Sequence, residues 1–202
     1  MCELKELDFM SPNQAGFLKG RSAQEHIFRL AQDVSNGFKR RHCSLALLVD
    51  VKAAFDAVWL AGLKHTINRM GLSKQMKNIL NSFLSNRSLK VFIDKIWSQE
   101  VRLRAGTPQG SCLSPILYCI FVNSLTGMFD AEKLTPSQYA DDLGIWSTAS
   151  DVLSATNNIR EGVARLEEWC RKWHVTLSPV KSKLIVFTKC PRHKKVSCYL
   201  GQ

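Results

Sequence analysis

Apolar positions recur along the chain at two spacings, one suited to helices and one to strands. Residues 23–41 carry Ile27, Phe28, Leu30, Ala31 and Val34 on an imperfect apolar face, which predicts a helix. Its basic end, "KRRH", suits the negative pole of a helix C-terminus. "CSLALLVDV" (43–51) is a short continuous apolar run, read as a strand buried on both faces. Residues 57–70 and 73–85 read as helices divided by Gly71, the second capped by Ser73. "SLKVFID" and "SQEVRLR" alternate like strands and predict a hairpin around Lys95–Trp97. After the turn-rich "AGTPQGSCLSP", Ser114 as N-cap and Pro115 at the first helical position open an apolar helix to about residue 129. Residues 137–147 read as strand, turn, strand. Residues 150–173 form a long amphipathic helix with Ile159, Val163, Leu166 and Trp169 at helical spacing. "KLIVFT" and "VSCYL" are two final short strands. With no repeat, low-complexity tract or Gly/Ser linker, one unit is expected. Helices and strands mix without regular βαβ alternation, so the fold class is α+β, with helices packed on an antiparallel sheet.

Charge narrows the partners. Against 17 Asp and Glu stand 28 Lys and Arg, a net +11 with a pI near 9.5. That balance favours a polyanion, nucleic acid above all, although a merely basic soluble protein has the same charge. The seven Cys are scattered and form no C-x-x-C pair, which points away from zinc sites and disulfide frameworks. Cys119, inside "ILYCIFV", reads as a buried free thiol. A reducing intracellular setting, nucleus or cytoplasm, fits this usage. The longest apolar run, "PILYCIFV", is too short to span a bilayer, and the N-terminus has no signal-peptide core. A soluble protein with no membrane partner is expected.

Three aspartates raise the question of chemistry. Asp50 ends the apolar run "LALLVD", where a carboxylate is costly unless solvated, paired or metal-bound. Asp141 and Asp142 stand together in "SQYADDLGIW", between two apolar stretches. The pair alone fits a solvated β-turn as well as a metal site. A strand-end Asp beside an Asp-Asp hairpin on a neighbouring strand would gather the hard oxygens that Mg2+ prefers. The five His (26, 42, 65, 174 and 193) are scattered and read as surface or half-buried residues.

In order and spacing, "LLVDVKAAFDAVW", "GTPQGSCLSPILYCIFVNSL" and "YADD" resemble motifs A, B and C of reverse transcriptases, with the flavour of the non-LTR retrotransposon enzymes. "NQAGFLKGRS" is similar to the preceding fingers motif. "LEEWCRKWHVTLSPVKSKLIVF" resembles motif D, with Lys181 at its lysine position, and "CYLG" resembles the start of motif E. The likeness covers about residues 12–201. It implies a polymerase palm with an antiparallel sheet packed on helices, plus part of the fingers: residues 1–42 partial fingers, 43–202 mainly palm, and no thumb. Further fingers and thumb segments of a longer protein are expected. Leu18 stands where relatives often have Arg, and Ser178 where motif D often has Asn.

The resemblance implies RNA-templated DNA synthesis by an RNA-directed DNA polymerase, with an RNA template, a DNA primer and deoxynucleoside triphosphates as partners. Asp50 and Asp141 would hold two Mg2+ ions, with Mn2+ a possible substitute, and Asp142 would complete the carboxylate cluster. Lys181 would donate a proton to departing pyrophosphate. Phe55 would be a steric gate against a ribose 2′-hydroxyl. Gln109 and Gly110 would contact the nucleotide, as would Arg21 at the triphosphate. Arg102, Arg104 and the run "PRHKK" would follow the nucleic-acid backbone. Three other readings stand beside this one: an intron-maturase-type reverse transcriptase, a viral RNA-dependent RNA polymerase, and a silent nucleic-acid-binding remnant or fragment.

Overall fold

The computed structural model describes residues 9–189. Its centre is the strand β1 (Cys43–Val49), paired antiparallel on both edges in a four-stranded sheet. One neighbour is β7 (Asp142–Ala149), in a register running from Cys43↔Ala149 to Val49↔Leu143. The other is β8 (Lys183–Phe187), from Ser44↔Phe187 to Leu48↔Lys183. The strand β6 (Thr135–Tyr139) closes the far edge against β7. The expected antiparallel sheet with helices is therefore observed.

Alternation along β1 separates two faces. Leu45, Leu47 and Val49 are buried with Leu143 and Ile145 in the main core. Helix α5 (Val152–Trp173) contributes Ala155, Ile159, Val163 and Leu166 to that core. Gly162 permits its close approach, since a Cβ there would lie 2.7 Å from Leu134 Cδ1. Helix α4 (Ser114–Val122) is apolar nearly all round and correspondingly buried, Tyr118 and Phe121 included. Each large side chain so buried stabilises the fold by about 1.5–3 kcal/mol. Helix α1 (Ala23–Lys39) covers part of the opposite face. There Gly37 sits over Ser44 and Thr148, and the Trp146 indole donates to Asp33 Oδ2 at 2.8 Å. Towards Asp50 the cover ends, and Leu48 is 42% exposed.

Helices α2 (Leu60–Arg69) and α3 (Lys74–Phe83) fall within the expected ranges. Ser73 caps α3, its hydroxyl accepting from Met76 N at 3.2 Å. Three expectations need correction. The hairpin turn lies at Asp94–Lys95, not 95–97, because both residues adopt positive φ (49° and 67°) and close a two-residue loop. It joins β3 (Phe92–Ile93) to β4 (Ile96–Trp97), outside which β2 (Ser88–Leu89) pairs with β5 (Val101–Arg102). Leu113, not Ser114, caps α4, and the Ser114 hydroxyl donates instead to Pro108 O. Helix α4 stops at Val122 because the next residue, Asn123, is tied to Phe9 O and Ser11 N. A single 3-10 turn follows at Thr126–Met128. The expected strand "VSCYL" lies outside the described residues. Cys119 is a buried free thiol, and burial pushes it up to about 12. Among the described residues no helix is long and apolar enough to cross a membrane.

Candidate active site

The last register pair of β1 and β7 is Val49↔Leu143, so Asp50 leaves its strand beside the point where Asp142 begins the next. Pairing of Tyr139 with Asp142 confines the β6–β7 turn to Ala140 and Asp141. The three aspartates thereby meet at one end of the sheet. Their mutual effect is electrostatic: the Asp142 carboxyl is raised above its usual range, first by burial and then by the charges of Asp141 and Asp50. The Tyr118 hydroxyl beneath them is raised too, by burial first and Asp141 next.

Asp50 is held by its backbone. Its N–H donates to Ser182 Oγ at 3.3 Å, and its carbonyl accepts from Ser178 N at 2.8 Å. Lys52 N donates to Thr176 O at 2.9 Å, so the segment 176–182 is laced across the strand end. The side chain is less satisfied. Asp50 Oδ2 is buried without a hydrogen-bond partner, although Lys181 Nζ forms an ion pair with it at 3.5 Å. A buried carboxylate oxygen left without a hydrogen bond is expensive unless a cation completes it.

The carboxylate oxygens, with Asp50 Oδ2 lacking a hydrogen bond, fit a hard divalent cation, which would compete there with the Lys181 ammonium. Among the described residues, however, no three His, Cys, Asp or Glu side chains are gathered closely enough to hold a metal ion. The cluster expected from the sequence is assembled at the level of strands, not of side-chain oxygens.

Phe55 is half-buried, its ring 4.9 Å from Tyr118 and edge-on to Phe17 at 6.3 Å. Gln109 donates to Asp56 Oδ1 at 2.9 Å. The Gln109 loop is fixed at its base by Gly106 N to Val58 O and Thr107 N to Phe55 O, both 2.9 Å. Gly106 and Gly110 both have positive φ, which suits residues without a Cβ. Arg21 is engaged inward, donating to the carbonyls of Ser11, Gln14 and Met10. Arg102 and Arg104 flank the loop on the exposed hairpin side.

Sequence reasoning missed Gln14. Its side-chain oxygen accepts from Gly16 N at 2.8 Å and from Ala140 N at 3.0 Å, while Gln138 exchanges backbone bonds with Asn13 and Ala15. Gly16 lies so close that a Cβ would stand 2.2 Å from Ala140 N. Ala140 has a positive φ of 55°, strained for a residue with a Cβ. The 13–16 loop thus clamps the turn that carries Asp141. No local signal marks it, since Gln14 follows Ser11 and Asn13 in a polar loop.

Comparison with known proteins agrees with this geometry. A family model described as reverse transcriptase (RNA-dependent DNA polymerase) matches residues 1–202. The RNA-directed DNA polymerase from mobile element jockey of Drosophila funebris is 30% identical over 185 residues, 89% of this chain and 20% of the relative. Its Drosophila melanogaster counterpart is 27% identical over 206 residues, 93% of this chain and 22% of the relative. The chain therefore spans about a fifth of the length of these curated relatives. Among solved structures, telomerase from Candida tropicalis in complex with a TWJ fragment of telomeric RNA superposes with a TM-score of 0.67 at 14% identity, covering 92% of this chain and 32% of that one.

Proposed function

The chain belongs to the reverse transcriptase family, of the non-LTR retrotransposon type, and on that premise we propose that it carries the nucleotidyl-transfer centre for RNA-templated DNA synthesis. The observation that supports this most is Asp50 at a strand end beside the Asp141–Asp142 turn, its buried Oδ2 lacking a hydrogen bond and met by the ammonium of exposed Lys181. In this reading residues 1–42 are part of the fingers and 43–202 mainly palm. The partners are an RNA template, a DNA primer and deoxynucleoside triphosphates.

Asp50, Asp141 and Asp142 would hold Mg2+, two ions in all, with Mn2+ as a substitute. When bound, such ions lower the pKa of a primer 3′-hydroxyl and neutralise charge on the triphosphate. The rest falls to the chain's own residues. Lys181, 70% exposed and paired with Asp50, would offer its ammonium as proton donor where pyrophosphate departs. Phe55 rests on Tyr118 and has little room to retreat, so a ribose 2′-hydroxyl pressed on the ring meets a steric penalty. Gln109 and Gly110 offer a polar side chain and an open backbone to the nucleotide. Arg21, engaged by three carbonyls, is better suited to bracing its loop than to direct triphosphate contact.

The test is extension of a DNA primer on an RNA template with Mg2+, together with melting of the protein with and without the metal. We expect Mg2+ to raise the melting temperature of the wild type but not of Asp50→Asn, since only a ligand of the folded state stabilises. Equal shifts in both would overturn the metal assignment even if extension were seen.

A further inference from the structure

Away from the carboxylates, a groove of about 630 Å3 lies between α2 and the C-terminal end of α5. Phe9, Trp59 and Trp173 give it aromatic walls, while His65, Arg69 and Lys172 line it from exposed positions. Trp173 is locked in place, stacked on Trp169 at 5.7 Å with 22° between planes and edge-on to Phe121 at 5.4 Å. Trp59 stands edge-on to Trp173 at 6.3 Å and to His174 at 4.9 Å, yet remains 36% exposed.

The helix beneath has given way to these rings. A Cβ on Gly62 would lie 2.4 Å from Trp59 Cε3 and 3.1 Å from Trp173 Cζ3. The groove also abuts two segments that flank the aspartates. Trp59 forms a backbone bridge with Ala105, next to the Gln109 loop, and His174 turns the chain at φ 57° into the segment laced over Asp50.

Charge selects the occupant. Among the described residues no acidic side chain lines the groove, two long cations do, and the whole chain carries +11. Apolar partners do not need the cations, and an acidic peptide does not need the preset indoles. We propose that this groove binds single-stranded nucleic acid: a base stacks on Trp59 while Arg69 and Lys172 hold flanking phosphates. Aromatic platforms beside a positive track are how strands are held without reading sequence. This site is separate from the carboxylate centre, and neither depends on the other.

The test is fluorescence anisotropy of a labelled 12-nucleotide oligo(U) RNA with the 202-residue chain in EDTA, titrated over a range of salt. Arg69→Gln with Lys172→Gln should reduce the slope of log affinity on log salt by about 1.4, at roughly 0.7 for each phosphate no longer neutralised. Trp59→Ala should weaken binding roughly 5- to 150-fold at fixed salt, and Trp59→Phe should restore most of it. Arg160→Gln, which removes an exposed cation outside the groove, should leave slope and affinity as they were, and because the readout is binding in EDTA it stands apart from failure of the polymerase assignment. Both replaced cations are exposed, so that double variant keeps its fold whatever happens to Trp59→Ala. An unchanged salt slope and affinity in the double variant would overturn the proposal and make the groove an apolar contact face for protein.

Discussion

The β6–β7 and β3–β4 hairpins are both closed by two residues, and each places an aspartate in its turn. Asp94 lies in a turn with two positive φ values, joining strands of two residues whose Phe92, Ile93, Ile96 and Trp97 are 54–72% exposed. Asp141 lies in a turn with positive φ at Ala140, joining longer strands of which one is paired to β1. Gln14 and Gly16 clamp that turn, and Asp50 adds its charge from the neighbouring strand. Local turn chemistry makes both hairpins. Only the surroundings of the second bring its aspartate up to the charges of Asp50 and Asp142, as the proposed site requires.

The largest expected effect tests that difference directly. Asp141→Asn should lower kcat/KM for primer extension at least 100-fold, several kcal/mol of transition-state stabilisation, whereas Asp94→Asn should leave it unchanged. Retention of more than about a tenth of the activity in Asp141→Asn would remove the carboxylate from the mechanism. Next comes the clamp. Gly16→Ala forces a Cβ into the Ala140 backbone and should cost about 1–3 kcal/mol in denaturant unfolding, with extension falling alongside. Gly71→Ala, with nothing within 4 Å of the added atom, should stay within about 0.5 kcal/mol of wild type.

A smaller effect concerns sugar choice. If Phe55 is the proposed steric gate, Phe55→Val should relax the dGTP-to-GTP ratio of kcat/KM at least tenfold, about 1.4 kcal/mol. An unchanged ratio with a large fall in melting temperature would make Phe55 a packing residue on Tyr118 and nothing more. The smallest effect is expected on the exposed hairpin. Ile96→Thr, at a position 72% exposed, should change stability by less than about 0.5 kcal/mol and leave extension untouched. A larger loss would mean that this hairpin is as tightly bound into the fold as its counterpart.

Much of the fold was legible because period and burial agree along most of the chain. The apolar run of β1, the amphipathic α5 and the Ser73 cap each follow from local pattern. Element ends were less so. The stop of α4 at Val122 depends on Asn123 reaching Phe9 and Ser11, more than a hundred residues away in sequence. The hairpin turn shifted because Asp94 and Lys95 take up positive φ without a glycine to announce it. Within the site, residue types pointed to Asp50, Asp141 and Asp142, while Gln14 could not be found from a one-dimensional pattern.

Residue type and order by themselves determined the chemistry on offer: hard carboxylate oxygens, an aromatic at 55, a lysine at 181 and a strongly basic chain. These follow from composition and motif, which need no coordinates. Tertiary structure decided which of those groups meet. It set Asp50 beside the Asp142 strand through the β1–β7 register, left Asp50 Oδ2 without a hydrogen bond, turned Arg21 inward and opened the Trp59 groove beside α5. The physical reason is range. Periodicity and turn propensity act over a few residues, whereas the energy of a buried charge or ring depends on neighbours the chain brings together from far apart.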